Sequence, residues 1–308
     1  MKTLLSTLAT RLDTWNGAKQ MQQFKTGWPA NTSAEIHFHR SPKVQYRYRM
    51  AGSGPTIVFS ADPPMTLEVY DELMAVFSPH FRVIIVELPA MGFSAAQRNF
   101  SFDFRVTSDD LAHFLQAVAG EQAILAFSCV AGLAAIDIAV RYPNLVAHLA
   151  LMQTGDVEAF ARWKAGRDPK GILARPLAGQ WVMKKLAPKR MPAWYGISVG
   201  KTEKLPHFCR CAEHSFAHDA LWSLASAYQI TMNPTLKLAQ PVQPMLAMWG
   251  LADRSHPAEN AESPKRLSRT LRYVAFPELG HTPELEDPEQ VFTVIRDFLQ
   301  VEAHQHLA

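Results

Sequence analysis

Four short, nearly continuous apolar runs constrain this chain more than anything else in it: PTIVFSA (55–61), FRVIIVEL (81–88), QAILAFS (122–128) and LVAHLALM (145–152). Amphipathic helical segments lie between them, among them LEVYDELMAVF (67–77) and VTSDDLAHFLQAVAG (106–120). A strand that is apolar on both faces must be covered on both. Helices alternating with such strands supply that cover, so the pattern predicts an α/β domain around a mostly parallel sheet. AEIHFHR (34–40) and VQYRYRMAG (44–52) alternate polar and apolar residues instead, which predicts an antiparallel pair.

The rhythm breaks near residue 154. The next stretch is rich in Trp, Lys, Pro and Met and shows no strand pattern until QPMLAMWG (243–250). TLRYVAFPE (270–278) reads as the last strand, and Val291, Val294, Ile295, Phe298 and Leu299 mark a closing helix. The expected organisation is an N-terminal helical extension at 1–33, a core at 34–153 and 241–308, and a helical insertion at 154–240. Leu5, Leu8, Leu12 and Trp15 fall at helical spacing in the extension, predicting an apolar stripe packed on the body or on a partner subunit.

With 308 residues, 48% of them hydrophobic and 19% charged, the chain has an ordinary globular composition. No apolar run reaches the roughly 18 residues of a transmembrane helix. Arg11 and Asp13 interrupt the leucines of a secretory-type leader, so the expected location is cytoplasmic. Three cysteines do not make a disulfide framework. The net charge of +3 is unevenly spread: residues 156–240 hold 13 Lys/Arg against 6 Asp/Glu, and the remainder 18 against 22. Such a basic segment is either a solvated helical surface or a docking face for something anionic. His207, Cys209, Cys211, His214 and His218 form a Cys/His cluster, but positions two apart diverge on a helix and no C-x-x-C pair exists. No metal or cofactor is expected, and no phosphate loop or nucleic-acid motif is present.

Four strings carry chemistry, in this order: ELPAMGFS (87–94), the strand–turn–helix around AFSCVAGLAAIDIAVRYP, WGLADRSHP (249–257) and FPELGHTPELEDPEQV (276–291). Together they resemble the α/β-hydrolase superfamily, in its cap-bearing esterase, lyase and thioesterase branch. The resemblance implies an α/β-hydrolase fold, a mostly parallel sheet with helices on both faces and a helical cap insertion. In the family's G-x-S-x-G elbow the nucleophile lies 13 residues before the Tyr of A-x-R-Y-P; counted from Tyr142, this position is Cys129, next to Ser128. Ala131 and Gly132 are then the small residues that let the helix pack close. Phe127 stands where the family has glycine, which predicts a differently shaped elbow. The resemblance makes His281 the general base, Asp253 the acid that orients it, and the backbone N–H groups of Val130 and Asp62 the oxyanion hole. A carboxylate at Asp62 would oppose an oxyanion unless turned away; that residue is equally a loop former or a substrate-side polar group. A thiol beside imidazole at a helix N-terminus is expected to favour the thiolate.

The implied function is a cysteine-dependent thioesterase or acyltransferase working through an acyl-cysteine intermediate. Lys184, Lys185, Lys189 and Arg190, with Lys201 and Lys204, would dock an acidic acyl carrier protein or the phosphates of coenzyme A at the pocket entrance. Trp163, Trp181, Trp194 and Trp222 would line an acyl cavity. Two other readings stay open: an ester or lactone hydrolase acting on a free small molecule, and a non-catalytic ligand-binding protein of the same fold.

Overall fold

The computed structural model describes residues 4–24, 36–89, 92–98, 100–218, 220, 224–232 and 237–305. Its strands are β1 (Ile36–Arg40), β2 (Val44–Ala51), β3 (Thr56–Ala61), β4 (Arg82–Glu87), β5 (Ala95–Ala96), β6 (Ala123–Ala126), β7 (Val146–Met152), β8 (Met245–Gly250) and β9 (Arg272–Phe276). They form one sheet in the order β1-β2-β4-β3-β6-β7-β8-β9, with β5 on β2. β1 and β2 pair antiparallel, Phe38 opposite Arg47, and β2 meets β4 antiparallel. From β4 to β9 every pairing is parallel. The short β5 was not foreseen, because two alanines carry no periodicity.

Alternate side chains of the central strands enter two separate cores. Val58, Ile84, Val86 and Leu125 pack on one face of the sheet. Ile57, Phe59, Val83 and Ile85 pack on the other. Burying each such side chain contributes about 1.5–3 kcal/mol, so a strand with both faces apolar is stable only between two helical layers. Helices α1 (Leu4–Phe24), α2 (Asp71–Phe77), α3 (Phe104–Phe114) and α4 (Val130–Arg141) precede β7. Then α5 (Val157–Arg167), α6 (Ala178–Ser198), α7 (Leu205–Ala217) and α8 (Leu224–Ser226) lie between β7 and β8, with α9 (Pro283–Glu286) and α10 (Pro288–Gln305) last. Leu111 of α3 and Leu133 of α4 close the first core; Phe77 of α2 and Ile295 of α10 close the second. Among the described residues no helix is long and apolar enough to cross a membrane.

In the N-terminal helix the apolar stripe does not pack on the body, the first of the two expected placements. Leu5, Leu8, Leu12 and Trp15 are exposed, while Ala9, Asp13 and Thr14 face inward. The Asp13 carboxylate accepts hydrogen bonds from the Ser226 hydroxyl and, at 3.2 Å, from Gln180 Nε2. A buried polar anchor therefore sets how α1 docks, and its apolar stripe is turned outward.

The approach of α4 to the end of β7 depends on Gly132. A Cβ there would overlap the Thr154 side chain, whose Oγ1 donates to the Cys129 carbonyl at 2.9 Å. Gly132→Ala should destabilise the protein by ~1–3 kcal/mol in urea unfolding, the range for overpacking a tight contact; an unchanged midpoint would contradict this packing.

Candidate active site

β6 ends at Ala126, and two residues later the chain turns sharply into α4. Cys129 caps that helix with φ +52° and ψ −130°, a conformation that L-residues rarely adopt and that costs about 1–3 kcal/mol. Two bonds hold it: Cys129 N–H donates to the Met152 carbonyl at 2.9 Å, and Met152 N–H to the Phe127 carbonyl at 3.0 Å. The Phe127 ring is fully buried in the first core. Ser128 points away from the cleft; its hydroxyl donates to Glu284 Oε1 at 2.7 Å, and its N–H to Ser60 Oγ at 3.1 Å.

The loop after β9 brings His281 to the elbow, and the turn after β8 brings Asp253. His281 Nδ1 donates to Asp253 Oδ2 at 2.8 Å. The same oxygen accepts from His256 Nδ1 at 2.8 Å and Gln153 Nε2 at 2.9 Å, while Oδ1 accepts from the Ser255 N–H at 2.7 Å. The second ring nitrogen, Nε2, donates to Asp62 Oδ2 at 3.0 Å. Asp62 is thus not turned away. Its amide, expected as an oxyanion donor, donates instead to the Tyr70 hydroxyl at 3.4 Å, because the loop after β3 swings the carboxylate into the site. One oxygen of Asp62, one nitrogen of His281 and the Cys129 sulfur lie within 4.8 Å of one another. Both nitrogens of His281 are engaged by carboxylates, so the trio is arranged for moving protons and offers a metal no idle imidazole lone pair.

These contacts decide the charges. Burial alone would lower the His281 pKa, but Asp253 and Asp62 lift it well above its usual value, making it an imidazolium. Burial would raise Asp253, yet the charge on His281 and the bonds from both histidines hold it well below the carboxylate range. Burial, helped by the charge of Asp62, pushes the Cys129 thiol up, although the bond from His281 opposes it. Both shifts run against the expected thiolate: the thiol is pushed up by burial and the imidazole is held protonated by its carboxylates.

Three more site residues carried little sequence signal. His256 lies within WGLADRSHP, and its ring stacks on His281 with centroids 5.0 Å apart. Gln153 follows β7 directly. Arg167 ends α5 and lines the same cavity as Cys129, Asp62 and His281. That cavity, of about 260 Å³, is walled by Trp163, Trp194, Met183, Met191, Tyr228 and Met232, with Lys184 and Arg190 of α6 also at its wall. Trp181 does not line it and is 62% exposed on the outer side of α6; Trp222 lies outside the described residues. Lys185 and Lys189 are exposed on α6. Lys201 and Lys204 pair with Asp287 and Glu72 of the body and so leave the entrance. On α7, Cys211 lies 3.9 Å from the His207 ring and His214 packs on His218. Among the described residues, the potential ligand groups that converge are Asp62–Cys129–His281 and Asp253–His256–His281, and the α7 residues form no such group.

A family model described as "Alpha/beta hydrolase family" matches residues 52–294. The chain is 24% identical over 237 residues to the biotin biosynthesis bifunctional protein BioHC of Teredinibacter turnerae, which spans 72% of this chain but only 40% of that protein. It is 24% identical over 247 residues to the pimeloyl-[acyl-carrier protein] methyl ester esterase of Vibrio vulnificus, covering 79% of this chain and 93% of that one. Among solved structures, a putative epoxide hydrolase from Pseudomonas aeruginosa superposes with a TM-score of 0.71 at 13% identity, over 90% of this chain and 99% of that chain. A thermophilic esterase from Thermogutta terrifontis gives 0.66 at 19% identity, over 87% and 98%. At such identities the two structures share the fold.

Two measurements test these charge assignments. ¹⁵N-histidine NMR should find His281 protonated on both nitrogens at pH 7.5, and a neutral tautomer would refute the double clamp. Burial also pushes Glu284 up to about 7. Such a group keeps its proton in the fold, whereas unfolded glutamates release it near 4.3, so stability falls as pH rises from about 4 towards 7. His281 acts in the same direction, its contribution complete below about 6.5 and lost as pH rises through its higher folded value. The urea midpoint should drop between pH 5 and 8. Glu284→Gln keeps an acceptor for Ser128 and should recover ~1–3 kcal/mol at pH 8; an equal pH slope in both proteins would exclude Glu284 as a source.

Proposed function

The chain belongs to the alpha/beta hydrolase family, and from that premise we propose that it is a cysteine-dependent acyl-transfer enzyme, a thioesterase or acyltransferase acting on acyl thioesters. The observation that carries this reading is Cys129 at the strained elbow, with a carboxylate and an imidazolium both within 4.8 Å.

With both His281 nitrogens held by carboxylates, the base beside the thiol in this reading is Asp62. It takes the S–H proton, and once protonated it loosens its hold on His281 Nε2. The thiolate sulfur attacks the acyl carbonyl carbon, while the Val130 N–H at the start of α4 faces the developing oxyanion. The carbon–sulfur bond to the leaving group breaks as His281 gives its Nε2 proton to that group. This leaves acyl-Cys129, neutral His281 and protonated Asp62. Water, or another acceptor, then loses a proton to His281 as it attacks. Collapse expels the Cys129 sulfur, which recovers its proton from Asp62, and every proton is restored. Asp253, held by four donors, keeps the imidazole aligned throughout.

The helices between β7 and β8 act as the cap, and their tryptophans and methionines suit an apolar acyl chain. The basic side chains Lys184, Lys185, Lys189 and Arg190 on α6 favour an acidic carrier or coenzyme A as the group that presents it. A relative named for a methyl ester of an acyl carrier substrate supports both the carrier and a second reading, ester hydrolysis by the same residues.

Intact-protein mass spectrometry tests the reading. Mixing with acyl-carrier, acyl-CoA or acyl-N-acetylcysteamine thioesters should give an adduct of acyl mass that survives Ser128→Ala and vanishes in Cys129→Ala. Asp62→Asn should slow adduct formation on the order of 100-fold, as expected for loss of a general base. A rate that is unchanged or raised in that variant would return the base role to His281. Adducts from free esters alone would favour ester hydrolysis.

A further inference from the structure

Arg167 is a half-buried cation with no anion beside it among the described residues. Its Nη2 is shielded from solvent and has no hydrogen-bond partner there, and no described carboxylate pairs with it. The fully buried arginines do have such partners: Arg47 meets Glu68 and Glu87, and Arg49 meets Asp71. One turn earlier on the same helix, Lys164 is satisfied by the carbonyls of Tyr228 and Met232 at 2.7 and 2.8 Å. Arg167 instead sits over two indole rings, 5.9 Å from the Trp163 centroid and 5.9 Å from that of Trp194. It is close enough to Asp253 to feel its charge.

Burying a guanidinium costs free energy unless an anion completes it. With rings on its faces, recognition falls to its edge donors, a fork that matches a carboxylate in two parallel hydrogen bonds. We propose that Arg167 is the recognition site for a carboxylate carried on the acyl group, so that the enzyme works on half-thioesters (or half-esters) of dicarboxylic acids. For the reaction this rests on the acyl-transfer reading above; for binding it does not. The phosphate of a carrier arm fits less well, since Arg167 lies within the aromatic wall while the exposed cations Lys184 and Arg190 stand on α6.

The test compares glutaryl and pentanoyl thioesters of N-acetylcysteamine, a pair that lacks phosphate and carrier and differs at the chain end. The full-length protein should prefer the glutaryl substrate by at least about tenfold in kcat/KM, and Arg167→Met should reduce that ratio by at least about tenfold. In parallel, calorimetry should show glutarate binding to Cys129→Ala and no binding to the double variant Cys129→Ala/Arg167→Met, with circular dichroism confirming that both are folded. An equal fall on both thioesters would overturn the proposal, because Arg167 would then serve the reacting centre. So would glutarate binding that ignores Arg167, or an Arg167-dependent response to 4′-phosphopantetheine in place of glutarate. If no thioester reacts but glutarate binding still needs Arg167, the acyl-transfer reading fails and this site stands. If pentanoyl thioester reacts while glutarate neither binds nor is preferred, the reverse holds.

Discussion

The left-handed backbone of Cys129 is the constraint on which the rest of this structure turns. Positive φ at a residue with a side chain is held in place by its surroundings. Here the hydrogen bonds between the elbow and Met152, the Thr154 hydroxyl on the Cys129 carbonyl, and the bare face of Gly132 supply that hold. The parallel sheet matters to the chemistry because it fixes β6 and β7 side by side. The loops after β3, β8 and β9 then deliver Asp62, Asp253 and His281 to a single point.

Much of this was legible in the sequence. Runs apolar on both faces specified the layered sheet, since no other arrangement buries Val58 and Phe59 together. The resemblance of the motif strings to the family singled out Cys129, Asp253 and His281, and the fold brings them together. Side-chain direction was less legible. Asp62 and His281 are 219 positions apart, and their contact depends on how one loop swings, which no local spacing encodes. Arg167 reads in sequence like any solvated helix-end arginine; only the two tryptophans around it reveal an enclosed position. The α1 stripe left its docking face open for a related reason. Apolar spacing says which residues share a face but not which face docks, and Asp13 decided that through Ser226 and Gln180.

Two carboxylates on one imidazole make an unusual resting state. At the distances seen, each attraction far exceeds what the same pair would have in water, because the surroundings are dry. The histidine therefore holds its proton firmly, and the thiol, buried and facing a carboxylate, holds its own. In the proposed reaction, protons would pass between neighbours within the cavity. The Ser128–Glu284 bond beneath the elbow belongs to the same dry environment and keeps the serine out of competition with its neighbour.

The aromatic rings around the site form a chain with mechanical consequences. Phe160 stacks on Trp163, Trp163 on His256, and His256 on His281, while Trp194 meets the far edge of His281. These rings belong to α5, the acid turn, the histidine loop and α6 in succession. A displacement of α5 or α6 that widened the cavity would have to slide these faces past one another. The position of the imidazole is thus tied through these faces to the positions of α5 and α6.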